Sequence, residues 1–207
     1  MHFFDNTFSS LIHSKNFRYF WIGQCVSVMG TWVQRTAQTW LVYKMTNSAF
    51  LVGLLSAAQF LPILLLTLVA GTLIDRYSKR KILIITQSGF LALGVVMTVL
   101  VYTNVVQYWE VIAIALGYGV LQSFDTTTRQ SFVVELVGHK DLLNGISLNS
   151  TVFNLAKVAG PSLAGLLMVK FSLGFCFLVD AASYLAVLLG LFLIKQTHPL
   201  ATPSKKH

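Results

Sequence analysis

An all-α integral membrane protein, built as a bundle of six transmembrane helices, is predicted by three features of this 207-residue sequence. Hydrophobic residues make up 55% of it and charged residues only 11%, whereas an ordinary soluble domain is roughly 25% charged. Mean hydropathy is +0.70. Apolar runs of about 20 residues recur, each long enough to cross a hydrocarbon core of ~30 Å. These runs are long and uninterrupted, unlike the alternating segments of about 10 residues that form a membrane β-barrel. The expected organisation is a tail over residues 1–16, a transmembrane domain over 17–194 and a second tail or linker start over 195–207.

The first span, residues 17–43, is apolar but carries Gln24, Gln34, Arg35 and Gln38. Its polar groups must face a neighbour or a wet cavity, because lipid offers them no partner. Spans 50–74 and 82–103 are the cleanest, since neither contains an ionisable residue. The fourth, 108–125, has Glu110 near its start and gathers Gln122, Ser123 and Asp125 at its end. The fifth, 143–169, is diluted by Asn144, Asn149, Asn154 and Lys157, and the sixth, 173–194, contains Asp180. A span polar on one side is not expected to face lipid all round.

Lys and Arg in alternate gaps set the orientation, because basic short loops stay cytoplasmic. One set of gaps holds eleven: Lys15, Arg18, Arg76, Lys79, Arg80, Lys81, Arg129, Lys140, Lys195, Lys205 and Lys206. The other set holds only Lys44 and Lys170. Both termini are therefore expected in the cytoplasm. The N-terminus lacks a basic stretch followed by a short apolar core and a cleavage site, so no cleaved signal peptide is expected.

Several function classes are disfavoured. The net charge of +8 comes from cations in the gaps between spans, which leaves no soluble basic domain for nucleic acid. Cys25 and Cys176 fall inside apolar runs, where packing accounts for them. His2, His13, His139, His198 and His207 are scattered without a Cys partner at metal-ligand spacing, so no metal site is expected. No G-x-x-x-x-G-K-[ST] phosphate loop is present. Nor is there a credible nucleophile–base pair, so the chain does not read as an enzyme.

The loop GTLIDRYSKRKILI, Gly71 to Ile84, is denser in charge than a topology anchor needs, with five charged side chains in seven residues. An anchor requires Lys or Arg, but this loop also carries Gly71 and Asp75. It resembles the G-x-L-a-D-R-x-G-R-R loop of the major facilitator superfamily, matching at Gly71, Leu73, Asp75, Arg76, Lys79 and Arg80. Ser78 stands where that family has glycine, and serine adopts positive φ less readily. The opening stretch from Asn16 and the segment from Phe124 to Leu167 also resemble the superfamily, nearest to the bacterial drug:proton antiporters that include the enterobactin exporter and macrolide-efflux proteins. Gly160, Pro161 and Gly165 resemble part of that branch's antiporter motif, although Gly and Pro are also common in ordinary membrane-helix packing.

The resemblance implies a secondary active transporter in a bacterial inner membrane, coupled to protons and exporting drugs, siderophores or similar small molecules. It implies no other cofactor. Gly71, Asp75, Arg76, Lys79 and Arg80 would form a cytoplasmic gate. Superfamily members have twelve helices in two similar halves, so six spans correspond to the N-terminal half, with a separate C-terminal half or a second copy as partner. The alternative is a six-helix membrane module, or an inactive remnant, that does not transport.

Three ionisable residues lie within spans: Arg35, Lys157 and Asp180. At about 1.5 Å per residue, Lys157 and Asp180 each lie roughly 21 Å above the inner ends of their helices and Arg35 roughly 27 Å. Each such charge costs on the order of 2.5–3.5 kcal/mol to insert, which calls for a partner or water. The expectation is that Asp180 pairs with Lys157 or Arg35 and leaves one cation for a cavity. Asp125 and Arg129, four residues apart, share a helical face. They form a candidate second gate contact, for which a solvated helix end is an equally good explanation.

Overall fold

The computed structural model describes residues 9–74, 76–138 and 141–194. Asp75, Lys140 and the 195–207 tail lie outside the described residues. Those described fold into a short helix, α1 (Ser9–His13), and six long ones: α2 (Lys15–Thr46), α3 (Ala49–Ile74), α4 (Lys79–Tyr102), α5 (Tyr108–Val137), α6 (Leu142–Lys170) and α7 (Leu173–Leu193). At 21 to 32 residues each, the long helices are roughly 32 to 48 Å in length, enough for a membrane crossing.

Local sequence explains where several helices stop and start. Ser14 and Ser172 accept hydrogen bonds from the backbone N–H of Phe17 and Phe175, each at 3.2 Å, and so cap the starts of α2 and α7. Gln107 and Glu110 form a reciprocal capping box at the start of α5. Asn47 ends α2 in the left-handed region with φ 48°, a conformation that asparagine tolerates better than most residues. Connections of two to five residues then reverse the chain between successive long helices.

Four long helices, α3, α4, α6 and α7, are apolar enough as well as long enough to cross a membrane. The other two are as long but more polar, because α2 buries Gln24, Gln34 and Gln38 and α5 buries Asp125 and Arg129. Helix α5 also runs twelve residues beyond the expected end at 125. Asp125 and Arg129 do not end the helix because they neutralise each other one turn apart within it.

The packed pairs form an arc in the order α6, α2, α7, α4, α5, α3. Exchanging α2, α3 and α4 for α5, α6 and α7 leaves this set of pairs unchanged: α2–α6 becomes α5–α3, α2–α7 becomes α5–α4, and α4–α7 maps onto itself. Three antiparallel helices form an odd number, so the two units run in opposite senses, as inverted repeats do. The α2–α7 seam is close because a Cβ at Gly23 would lie 2.7 Å from the Ala186 carbonyl oxygen. Small residues of this kind let membrane helices approach to backbone contact.

Among the described residues, two large apolar clusters and a small third one, around Val28, Val152 and Ala156, fill the bundle. One large cluster, around Phe17, Phe20, Leu83, Phe132 and Leu191, closes the end that carries the basic loops, with Phe20 and Phe132 edge to face at 5.3 Å. The other, around Val33, Leu55, Phe90, Met97 and Phe177, occupies the opposite half. Helix α1 docks at the basic end, where Ser10 donates to Asn144 at 2.6 Å and His13 meets Asp141 at 3.1 Å.

Candidate functional site

Between the two large clusters lies a cavity of about 230 Å³. Helix α2 supplies Ser27, Thr31, Trp32 and Arg35, and α3 supplies Phe60 and Ile63. Gln122, Thr126 and Arg129 come from α5, and Phe90, Phe153 and Tyr184 from α4, α6 and α7. A second, more polar recess shares Thr126, Arg129 and Phe153 with it and adds Gln130, Asn149, Ser150 and Asn154. Mixed aromatic and polar walls of this kind suit a small molecule with an apolar body and a few directed polar groups.

The three intramembrane charges have different surroundings. The Arg35 guanidinium faces the cavity, 5.4 Å from the ring centres of both Trp32 and Phe60. Lys157 is exposed on α6, one turn beyond Phe153 and Asn154, and lines neither the cavity nor the recess. Asp180 is wholly buried and accepts a hydrogen bond from the Tyr118 hydroxyl at 2.9 Å. The expected pairing of Asp180 with Lys157 or Arg35 is not found, since neither cation lies within 4.0 Å of an acid among the described residues. The reason is that α5 inserts Tyr118 against the carboxylate. A phenol donor satisfies one oxygen without bringing in a second buried charge.

Asp125 and Arg129 do form a pair, and it is buried rather than solvated. Asp125 accepts from Arg129 Nε at 3.0 Å, and from Gln87 at 2.8 Å and the Thr86 hydroxyl at 3.1 Å on α4. A charge-assisted network therefore locks α4 to α5 beside the cavity. Thr86, Gln87 and Tyr118 were not singled out from the sequence. The polar Thr86-Gln87 step inside the otherwise apolar third span was the available signal.

The glutamines mostly hold helices together. Gln34 and Gln59 both donate to the Gln38 side chain, at 3.0 and 2.9 Å, and Gln38 donates to the Val111 carbonyl at 3.3 Å. This buried cluster links α2, α3 and α5. Gln24 reaches Asn149 on α6.

At the basic end, Lys79 pairs with Glu135 at 2.6 Å and joins the start of α4 to the end of α5. Glu135 was not anticipated from the sequence. Arg80 donates from Nε to the Leu191 carbonyl at 2.8 Å, at the C-terminus of α7, where the helix dipole favours a cation. Arg76 is exposed, and a Cβ at Gly71 would meet nothing within 4 Å. Ser78 has φ −62°, so the turn needs no positive φ and serine fits where the resembling family has glycine.

Of the antiporter-like residues, Gly160 is a packing point, since a Cβ there would lie 2.4 Å from Trp32 Cβ on α2. Gly165 has open space around it. Pro161 is exposed within α6, whose helix runs unbroken through it.

The profile of a family described as transmembrane secretion effector matches residues 6–205. The chain belongs to this family. Its relatives are transporters of the major facilitator type rather than enzymes. It is 28% identical to the staphyloferrin A transporter of Staphylococcus aureus over 84% of this chain and 44% of that protein. It is 23% identical to macrolide efflux protein A of Streptococcus pyogenes over 77% of this chain and 40% of that one. With the multidrug efflux pump Tap of Mycobacterium tuberculosis, identity is 29% over 69% of this chain and 35% of the pump. The chain thus spans less than half the length of the curated relatives it matches. No solved structure matches it.

Proposed function

We propose that this transmembrane secretion effector chain is the N-terminal half of a proton-coupled exporter of small molecules in a bacterial inner membrane, with six crossing helices and both termini cytoplasmic. The cavity carries the reading. It lies between the two large apolar clusters, its walls come from all six long helices, and it places polar and cationic groups where a lipid-facing bundle would have none. The inverted pairing of α2–α4 with α5–α7 supports the same reading, because such repeats build the binding sites of secondary transporters. The efflux functions named for the relatives supply the direction of transport.

In this reading α2 and α5 cross the membrane despite their polarity, because their polar groups face inward. A second six-helix half supplies the opposing wall of the cavity. Asp180, enclosed and held by Tyr118, is the carboxyl placed to take up and release the coupling proton. Asp75 and the cations after it close the cytoplasmic side, with Lys79–Glu135 and Arg80 bracing the loop against α5 and α7.

The test expresses the chain with a C-terminal half in cells lacking their main efflux pumps and follows substrate accumulation in everted vesicles under an imposed pH gradient. Gradient-dependent accumulation that needs both halves is expected. Accumulation indifferent to the gradient would remove the proton coupling, and none with any substrate would favour a module that does not transport.

A further inference from the structure

We propose that the cavity selects organic anions, seating a flat apolar body between its aromatic walls with an acidic group on the Arg35 guanidinium. This rests on reading the cavity as the substrate site and specifies the class of substrate.

Among the described residues, Arg35 is the cation lining the cavity that has no ion-pair partner. Arg129, in the same wall, is held by Asp125. Lys79 has Glu135, and Arg80 has the α7 carbonyls. The Arg35 guanidinium lies against the rings of Trp32 and Phe60, with no carboxylate within 4.0 Å and no hydrogen-bond acceptor among the described residues. Two rings hold a guanidinium in place and offset part of its desolvation, but they leave its in-plane N–H groups unused. Those N–H groups form a fork suited to a carboxylate or sulfonate.

The remaining charges favour the same sign of ligand. Asp180 is fully enclosed behind the cavity wall and bonded to Tyr118, and Asp125 is occupied by Arg129, Gln87 and Thr86. A ligand entering the cavity therefore meets a cation and no free carboxylate. Trp32, Phe60, Phe90 and Phe153 provide flat apolar surface, so a small inorganic anion would leave most of the cavity unfilled.

Equilibrium dialysis of the purified chain in detergent, with empty micelles as blank, tests this using three probes of one shape: naphthalene-2-carboxylate, its neutral primary amide and the 2-naphthylmethylammonium cation. The carboxylate should bind about tenfold more tightly than the amide, equivalent to about 1.4 kcal/mol, and the cation no better than the amide. Arg35→Gln should bring the carboxylate to within about twofold of the amide while amide binding persists, which also reports an intact fold. Arg35→Lys, which keeps the charge but not the fork, should retain a preference of about threefold. Equal binding of carboxylate and amide by the unaltered chain, a preference that survives Arg35→Gln, or its loss in an Arg35→Lys chain that still binds the amide would each overturn the anion assignment. Failure of all three probes to bind the unaltered chain would instead overturn the reading of the cavity as a small-molecule site, and the assignment with it.

Discussion

Asp125→Asn should be among the most damaging single substitutions in the bundle, although it changes only one atom of the side chain. In the native chain the carboxylate is wholly buried and receives Arg129, Gln87 and Thr86, while Arg129 is itself only 5% exposed. Asparagine keeps the shape but removes the charge and points an N–H₂ at groups that are themselves donors. Breaking a buried ion pair from one side costs about 3–5 kcal/mol, because the other charge remains without compensation. For a chain of this size each kcal/mol moves the unfolding midpoint by about 2–4 °C, so a fall of about 6–20 °C is expected. The assay is thermal unfolding in detergent, followed by size-exclusion chromatography of heated samples. Arg129→Gln combined with Asp125→Asn should recover more than half of the loss, because no orphan charge is left. A fall below about 3 °C in the single variant, or strictly additive losses in the double, would refute the idea that α4 and α5 are held by a charged network.

Gly160→Leu should separate α6 from α2, since even a Cβ lies 2.4 Å from Trp32. Overpacking of this kind costs about 1–3 kcal/mol or more and should lower the unfolding midpoint, whereas Gly165→Leu, with open space around it, should leave that midpoint nearly unchanged. Asp180→Asn keeps an acceptor for Tyr118 and frees no cation, so it should cost no more than about 1 kcal/mol; quantitative blotting should find normal abundance while gradient-driven accumulation falls. Loss of folded protein comparable to that in Asp125→Asn would show that Asp180 holds the bundle together electrostatically. Glu135→Gln should free Lys79 at a cost of about 1 kcal/mol, and the charge swap Lys79→Glu with Glu135→Lys should restore the midpoint if the two side chains act as a pair.

What this protein owes to its sequence alone is its solvent and its helices. Long apolar runs broken by charged gaps leave the helix as the way to satisfy every backbone group in lipid. The i, i+4 spacing of Asp125 and Arg129 was readable for the same reason, because both lie on one helix and local geometry fixes their separation. Contacts between helices were not readable in this way. Asp180, Arg35 and Lys157 have similar depths along three helices, but depth does not say which way each helix is turned about its axis. That rotation is set by packing, through Gly23 against Ala186, Gly160 against Trp32 and the pairing of the two three-helix units. Packing turned Asp180 toward Tyr118 rather than a cation, placed Arg35 between two rings, and brought Thr86 and Gln87 to Asp125. A hydrogen bond reaches only ~3 Å, so partners on different helices are decided by how those helices are rotated and seated, which only the tertiary structure determines.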